Sequence, residues 1–141
     1  MSVRAFVDTN IWVYTVDAAD PEKRRLALAV VGPGSGYELV LSTQVLAEFY
    51  AVVTRRLATP LSPAQARALA AQMASLPVVS VDAALVLAAI EASDAWGISS
   101  WDAVIVRAAE IAGCPVLLSE DLADGALYGS VRVVNPLRDA A

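Results

Sequence analysis

The type of fold is indicated near the start of the chain by Val3-Arg4-Ala5-Phe6-Val7-Asp8-Thr9-Asn10. Its first five residues are mostly apolar and β-branched, which predicts a buried strand, and its last three favour a turn after that strand. We expect a short helix within residues 11–17, directly after the turn. A strand followed at once by a helix is typical of α/β proteins.

The rest of the chain continues this alternation. Further helices are predicted from Pro21 to about residue 31, from a cap at Ser42 or Thr43 to about residue 57, and over residues 64–76, 83–95 and 99–113. Further strands are predicted over residues 38–41, 78–81, 115–118 and 131–134. Alternation of this kind predicts a central, mainly parallel sheet of four to five strands, covered by helices on both faces as a three-layer α/β/α sandwich. The connecting loops are short, so we expect a single domain over residues 1–141.

The composition excludes several kinds of chemistry. The 141 residues are 57% hydrophobic and 18% charged, which suits a domain with its own core. The chain has no His and one Cys, so it lacks the residues for a Ser-His-Asp triad or a His-bearing zinc site. Cys114 cannot form a disulfide framework and is expected to be a small core residue. Carboxylates, hydroxyls, amides and cations remain for any chemistry.

The sequence also bears on location. The apolar stretch before Asp8 is too short for the apolar region of a signal peptide. The longest uncharged apolar run covers residues 83–90, whereas a membrane-spanning helix needs about 20 such residues. We therefore expect a cytoplasmic protein that does not enter a membrane.

Four acidic residues are candidates for one shared site. Asp8 ends the first predicted strand and Asp121 lies just after the fourth, and the carboxyl ends of parallel strands meet at one edge of a sheet. Glu48 follows the second strand on a helix, beside a stripe of apolar residues that should face the core, so we expect it to be half-buried. Asp102 lies in the first turn of the helix before the fourth strand.

Each of these acids also has an ordinary structural interpretation. Asp8 can cap a helix, Asp102 can complete a capping box with Ser99, and Asp121 can make a turn. Together they pose an electrostatic problem, because two like charges about 5 Å apart repel by about 3 kcal/mol at an effective dielectric constant of about 20. Protonation or a cation must relieve that repulsion. Oxygen ligands without His or Cys suit Mg²⁺ or Mn²⁺, which are typical of phosphodiester hydrolases.

The overall charge at first argues against a nucleic-acid partner. The net charge is −5, whereas nucleic-acid-binding domains are usually basic. Without the four candidate acids the net charge would be only −1, so the rest of the molecule is almost balanced. The candidate RNA contacts are Lys23, Arg24, Arg25, Arg55 and Arg56, although such basic residues also occur on solvated helix faces. Among the aromatic residues, Trp12 and Tyr14 are the best candidates for exposure beside Asp8, where they would line a groove for RNA or an inhibitory protein.

Four segments, in this order, resemble the PIN-domain family, and specifically the VapC-type toxins of bacterial and archaeal type II toxin–antitoxin systems. They are Phe6-Val7-Asp8-Thr9-Asn10, Ser42-Thr43-Gln44-Val45-Leu46-Ala47-Glu48-Phe49, Trp101-Asp102-Ala103 and Leu117-Leu118-Ser119-Glu120-Asp121-Leu122. The resemblance implies a PIN fold and an endoribonuclease that depends on Mg²⁺ or Mn²⁺. It assigns the acidic ligands to Asp8, Glu48, Asp102 and Asp121, with supporting roles for Thr9, Asn10 and Ser119. For the fourth acid, Glu120 and Asp124 remain alternatives to Asp121.

The resemblance further implies a homodimer, an RNA substrate and a cognate VapB-type antitoxin. It implies hydrolysis by activated water, which leaves a 5′-phosphate and a 3′-hydroxyl. Two other functions stay open at this point. One is a phosphatase with Asp8 as covalent nucleophile, although Asn10 stands where a second Asp would be expected. The other is a non-catalytic module that binds a metal or an Arg of a partner.

Overall fold

The structure is a computed structural model, and it describes residues 2–139. Its strands are β1 Val3–Val7, β2 Tyr37–Ser42, β3 Val78–Val79, β4 Val116–Leu118, β5 Leu127–Tyr128 and β6 Val131–Val134. Its helices are α1 Thr9–Tyr14, α2 Pro21–Val31, α3 Thr43–Arg55, α4 Pro63–Met73, α5 Ala83–Trp96 and α6 Ser100–Ile111. None of the helices in residues 2–139 has the length and hydropathy that a membrane crossing requires.

The strands form one sheet in the order β3-β2-β1-β4-β6-β5. Every neighbouring pair is parallel except β5 with β6. The predicted α/β class with a mainly parallel sheet is therefore confirmed. The predicted number of four to five strands is too low, because the described residues contain six. The missed strand, β5, is two residues long, which is too short for a pattern of alternating burial to appear in the sequence.

Most helices and strands lie where the sequence predicts them. The bounds of β1, α2 and β6 agree with the prediction, and β3 is shorter than predicted because it ends at Val79. Helix α1 begins at Thr9, two residues before the expected start. The cause is local, since the Asp8 carboxylate accepts a hydrogen bond from the Thr9 backbone and caps the helix immediately.

The core lies around the central strand β1. Ala5, Phe6 and Val7 are fully buried, and helices α3 and α6 pack their apolar faces into the same core. Helix α3 contributes Val45, Phe49 and Val53, which are spaced four residues apart on one face. Cys114 is buried, and this burial raises the pKa of its thiol to about 11. The thiol is therefore uncharged at neutral pH and behaves as a small core residue.

The register of the sheet brings the candidate site together. Strands β1 and β4 are parallel neighbours, and Val7 lies opposite Leu118. The next residues, Asp8 and Ser119, therefore leave the sheet at the same edge. The backbone N–H of Asp8 still donates to the carbonyl of Leu118 at 3.0 Å, which extends the pairing by one bond. The segments that follow β1 and β4 are therefore held together at Asp8 and Ser119, where their polar side chains begin.

Candidate active site

Asp8 lies at the centre of the candidate site and is only 6% exposed. Its Oδ1 accepts from the Thr9 N–H at 2.8 Å, and its Oδ2 accepts from the Ser119 hydroxyl at 2.8 Å and from Asn10 Nδ2 at 3.2 Å. Burial raises the pKa of the Asp8 carboxyl to about 6. The hydrogen bonds from Ser119 and Thr9 oppose that rise, whereas the negative charges of Asp121 and Glu48 add to it. Asp8 therefore lies in a locally negative and poorly solvated place.

Glu48 and Asp121 share a cleft of about 280 Å³ above Asp8. Neutral groups lie between the three carboxylates and bond to them. Asn10 Nδ2 bridges Asp8 to Asp121, whose Oδ2 is 3.1 Å away, and the Thr9 hydroxyl donates to Glu48 Oε2 at 3.2 Å. Gln44 Nε2 donates to the other Glu48 oxygen at 2.6 Å. Thr9 and Asn10 lie where the sequence suggested supporting residues, in contact with the acids.

The prediction that Glu48 is half-buried is wrong, because Glu48 is exposed. Residues on a helix are offset by about 100° each, so Glu48 points away from its neighbour Phe49, which faces the core. This offset turns Glu48 towards the cleft instead of the protein interior. Two features of the sequence could have indicated this placement. Glu48 lies beside the apolar stripe of α3 that faces the core, and it follows Gln44 by one helical turn.

Within residues 2–139, no hydrogen bond links Asp102 to the other three acids. It lies in the first turn of α6, where its backbone N–H donates to the Ser99 hydroxyl at 3.1 Å, as expected for a helix cap. Within residues 2–139, its carboxylate makes no hydrogen bond or ion pair, and it does not line the cleft. Its assignment to the site stays a prediction.

The structure distinguishes the three acids near the end of β4. Glu120 lines the cleft, but its carboxylate bonds to Lys23, with Oε2 at 2.6 Å from Nζ, and its Oε1 accepts from the Tyr14 hydroxyl at 3.1 Å. Asp124 accepts from the Asn135 N–H at 2.9 Å and pairs with Arg138 at 3.0 Å. Asp121 is the one that shares Asn10 with Asp8, which makes it the acid best placed to act with Asp8.

Ser119 ties the loop after β4 to Asp8. The residue is fully buried, its hydroxyl donates to Asp8 Oδ2, and its Oγ accepts from the Asp121 N–H at 3.2 Å. Asn10 adds a second tie, since its Oδ1 accepts from the Glu120 N–H at 3.0 Å. These bonds hold the positions of Asp8 and Asp121 relative to each other.

The donor set fits a hard divalent cation by its chemistry. Carboxylate, hydroxyl and amide oxygens are the ligands of Mg²⁺ and Mn²⁺. The raised pKa of Asp8 comes mainly from burial, and the negative charges of Asp121 and Glu48 add to it. In the described part of the chain, no three acidic or Cys side chains are yet close enough together to hold a metal ion. Asn10 Nδ2 donates to both Asp8 and Asp121, so a neutral amide links these two acids.

Among the predicted RNA contacts, Lys23 lies at the edge of the cleft, through its bonds to Glu120 and Tyr14. Arg24 donates to the Thr15 carbonyl and Arg25 pairs with Glu22. Arg55 and Arg56 are exposed at the end of α3. The charged groups of these four arginines do not bond to a side chain that lines the cleft.

The aromatic predictions are partly wrong. Trp12 is 7% exposed, because its ring packs into the core and its Nε1 donates to the Val7 carbonyl at 3.2 Å. Tyr14 does line the cleft. Trp101 is 74% exposed and lies, with Ile90, along a separate apolar groove of about 510 Å³ between α5 and α6.

The comparisons with known proteins identify the family and the fold of the chain. A sequence profile described as PIN domain matches residues 5–123, which is most of the chain. The chain belongs to the PIN domain family. Asp8, Glu48, Asp102 and Asp121 all lie within the matched residues. A comparison with curated proteins finds no match.

Solved structures with the same PIN fold come from several bacteria. A toxin–antitoxin complex from Klebsiella pneumoniae matches with a TM-score of 0.66 and 17% identity, over 94% of this chain and 97% of that one. VapBC2 from Rickettsia felis, bound to a promoter DNA fragment, matches with a TM-score of 0.61 and 17% identity, over 93% of this chain and 97% of that one. VapC20 from Mycobacterium tuberculosis, a toxin that cleaves the sarcin–ricin loop, matches with a TM-score of 0.59 and 24% identity, over 83% of this chain and 89% of that one. At these identities the likeness establishes the fold of the PIN domain described here.

Proposed function

We propose that this PIN domain is a metal-dependent endoribonuclease toxin, neutralised in the cell by a VapB-type antitoxin. The observation that carries the proposal is that Asp8 is linked through Asn10 to Asp121 and through Thr9 to Glu48, two acids that line one cleft. Within residues 2–139, no basic side chain bonds to any of the three acids. Such a grouping is unfavourable in an empty site and favourable around a divalent cation. The RNA substrate also implies a cytoplasmic location.

The cation, Mg²⁺ or Mn²⁺, would be held by Asp8, Glu48 and Asp121, and Asp102 is a fourth ligand on the strength of the family resemblance alone. When bound, it would supply Lewis acidity for the activation of water and for charge developing on a phosphate. The protein residues supply the orientation. Ser119 and Thr9 keep both oxygens of Asp8 in place, and Gln44 holds Glu48 towards the cleft.

The products expected from this site carry a 5′-phosphate and a 3′-hydroxyl. The alternative reaction, attack by the neighbouring 2′-hydroxyl, usually needs an acid or base such as imidazole near neutral pH. The chain contains no His. Hydrolysis by water is therefore the reaction that these residues can support.

The partners proposed for this chain are RNA, an antitoxin and a second copy of itself. Three lines of support apply to the antitoxin: the PIN family membership, the fold shared with toxin–antitoxin complexes, and an acidic cleft that would accept a basic side chain of an inhibitor. The homodimer is proposed from the resemblance to VapC-type toxins. Sedimentation of the purified protein would measure its oligomeric state.

The proposal is tested by incubating the purified chain with total cellular RNA and mapping the new ends. We expect cleavage with Mg²⁺, no cleavage with EDTA, and 5′-phosphate ends at the cut sites. The variants Asp8→Asn and Asp121→Asn should lose cleavage, because each removes a carboxylate from the cleft. Asp17→Asn is the matched control, since Asp17 lines the same cleft but bonds to none of the other acids.

Asp102→Asn tests the fourth acid separately. Loss of cleavage by this variant would support a role for Asp102, and undiminished cleavage would restrict the site to the three acids of the cleft. Binding of Mn²⁺ by the wild-type chain without any cleavage of RNA would instead identify a non-catalytic metal-binding module.

A further inference from the structure

Lys23 is distinguished from all other basic residues by its place. The chain has ten Lys and Arg residues, and all of them lie within residues 2–139. Lys23 is the only one of these whose charged group bonds to side chains that line the acidic cleft, Glu120 and Tyr14. The ammonium group therefore stands at the edge of a cleft that otherwise presents carboxylates.

Two residues, Glu120 and Tyr14, hold the Lys23 side chain in place. Its Nζ is 2.6 Å from Glu120 Oε2, 3.4 Å from the Tyr14 hydroxyl and 5.0 Å from the centre of the Tyr14 ring. Lysine side chains normally lose considerable rotamer freedom when they bind a ligand. Here these contacts already restrict that freedom. The side chains of Lys23 and Glu120 are 28% and 24% exposed, so solvent and ligands still reach the pair.

Glu120 connects Lys23 to the candidate catalytic carboxylates. The Glu120 backbone N–H donates to Asn10 Oδ1, and Asn10 Nδ2 bonds to both Asp8 and Asp121. Lys23 is thus linked to the two acids through a short chain of hydrogen bonds. Glu120, which holds Lys23, and Asp121 line the same cleft, so an RNA strand bound in that cleft would pass both.

Glu120 itself is an anion in hydrogen-bond contact with the ammonium group. A phosphate that approaches Lys23 must share this cation with the Glu120 carboxylate or displace that carboxylate. The negative charge of Glu120 also repels the phosphate directly. Removal of the Lys23 charge and removal of the Glu120 charge should therefore have opposite effects on RNA binding.

We propose that Lys23 binds a backbone phosphate of the RNA beside the scissile bond, and that Glu120 competes with this phosphate for the ammonium group. The proposal rests on the proposed ribonuclease function and adds the residue that takes the flanking phosphate. The pair thereby sets how tightly the acidic cleft accepts RNA. A purely structural ion pair, which only braces α2 against the loop after β4, predicts a different outcome.

The test measures binding of a fluorescent single-stranded RNA of mixed sequence at several salt concentrations. Ca²⁺, another cation that prefers oxygen ligands, replaces Mg²⁺ so that binding is measured without relying on turnover. Lys23→Gln should weaken binding by about tenfold, the size of one charge-assisted hydrogen bond. The slope of log affinity against log salt should become shallower by about 0.7, as expected for one lost phosphate contact on a single strand. Glu120→Gln should tighten binding.

Arg25→Gln is the matched control, since Arg25 lies two residues away on α2 and its charged group pairs with Glu22 instead of a cleft residue. It removes the same charge and should change affinity much less than Lys23→Gln. Far-ultraviolet circular dichroism confirms that each variant is folded. The proposal is overturned if Lys23→Gln and Arg25→Gln behave alike, or if Glu120→Gln weakens binding as Lys23→Gln does. Failure of the wild-type chain to bind RNA would instead overturn the proposed function, and this inference with it.

Discussion

At the scale of single residues, the burial of Asp8 dominates the chemistry of the site. The carboxylate loses most of its hydration and receives three hydrogen bonds, yet its pKa is still raised to about 6. The hydrogen bonds are therefore too few to offset burial and the two neighbouring negative charges. A bound cation would reverse this balance and favour the ionised form.

The first prediction is that Asp8→Asn abolishes RNA cleavage but makes the metal-free protein more stable. In EDTA at pH 7.5, the variant should have a higher free energy of unfolding than the wild-type chain, by up to about 3 kcal/mol, because it no longer buries an unfavourable charge. Urea unfolding measures the difference. Asp17→Asn removes an acid from the same cleft without this burial and should change stability little. An Asp8→Asn variant less stable than the wild-type chain would contradict the electrostatic account.

The second prediction concerns pH. The Asp8 pKa rises from its ordinary value of 3.8 to about 6 in the folded protein, so between these values the native state binds more protons than the unfolded state. This contribution to stability is present below about pH 4 and is lost as the pH rises through about 6. The stability difference between Asp8→Asn and the wild-type chain in EDTA should therefore grow in favour of the variant over this range. If the stability difference between the two proteins does not vary with pH, the pKa of Asp8 is not raised by folding.

At the scale of helices and strands, the cleft is built where four elements end or begin. Strands β1 and β4 end side by side, α1 starts at once after β1, and α3 brings Glu48 in from the neighbouring strand β2. Asn10 of α1 joins two of these segments, because it bonds to Asp8 and also to the loop that carries Glu120 and Asp121. The amide group of Asn10 acts there as a neutral spacer between two acids.

The third prediction follows from this spacer. Asn10→Asp replaces a donating amide with another negative oxygen between Asp8 and Asp121, which should destabilise the metal-free protein by roughly 1–3 kcal/mol. Added Mg²⁺ should restore part of this loss, because the cation would offset the new charge. Thermal unfolding with and without Mg²⁺ measures both effects. Asn135→Asp is a control away from the cleft, since Asn135 Oδ1 only accepts from the Leu137 N–H. Equal losses for both variants, without a response to Mg²⁺, would oppose this role for Asn10.

The fourth prediction concerns the turn between α5 and α6. Gly97 ends α5 with φ of +65°, and a Cβ at this position would meet nothing within 4 Å. The cost of Gly97→Ala should therefore come from the left-handed backbone alone, about 1 kcal/mol in the free energy of unfolding. Gly97→Asn should cost less, because Asn tolerates this conformation better. Equal stability of all three proteins would show that the turn does not demand glycine.

At the scale of the whole molecule, the acidic residues around the cleft make the stability of the fold depend on bound cations. The chain carries 15 acidic and 10 basic residues, and several of the acids converge where the sheet ends. A protein of this kind should be stabilised by any ion that binds its native state and not its unfolded chain.

The fifth prediction is that Mg²⁺ raises the thermal midpoint. At a concentration about 100 times its Kd, the ion should add about 2.7 kcal/mol, or about 9 °C for a chain of this length. Differential scanning calorimetry in EDTA, in Mg²⁺ and in NaCl of equal ionic strength separates binding from screening. The double variant Asp8→Asn with Asp121→Asn should not respond to Mg²⁺. A rise of the same size in NaCl would show that screening alone is responsible.

The order of the main helices and strands was predictable from the sequence because the signals are local. The signals of β1 and α2, namely the mostly apolar stretch of β1, Pro21 at the start of α2 and the glycines after α2, act within a few residues of chain. The two-residue strand β5 carried no such signal and became visible only through its pairing with β6. Glu48 and Trp12 were misplaced because burial on a helix depends on what packs against each face, which spacing alone does not define.

The sequence by itself determined the α/β class, the order of its principal elements, the absence of imidazole chemistry and a short set of candidate acids. Only the tertiary structure decided which acids meet. Asp121, and not Glu120 or Asp124, shares Asn10 with Asp8, whereas Glu120 turns to Lys23. The physical reason is that helices and strands form from contacts between near neighbours, whereas Asp8 and Asp121 come together through the register of β1 against β4. That register depends on the packing of the entire sheet.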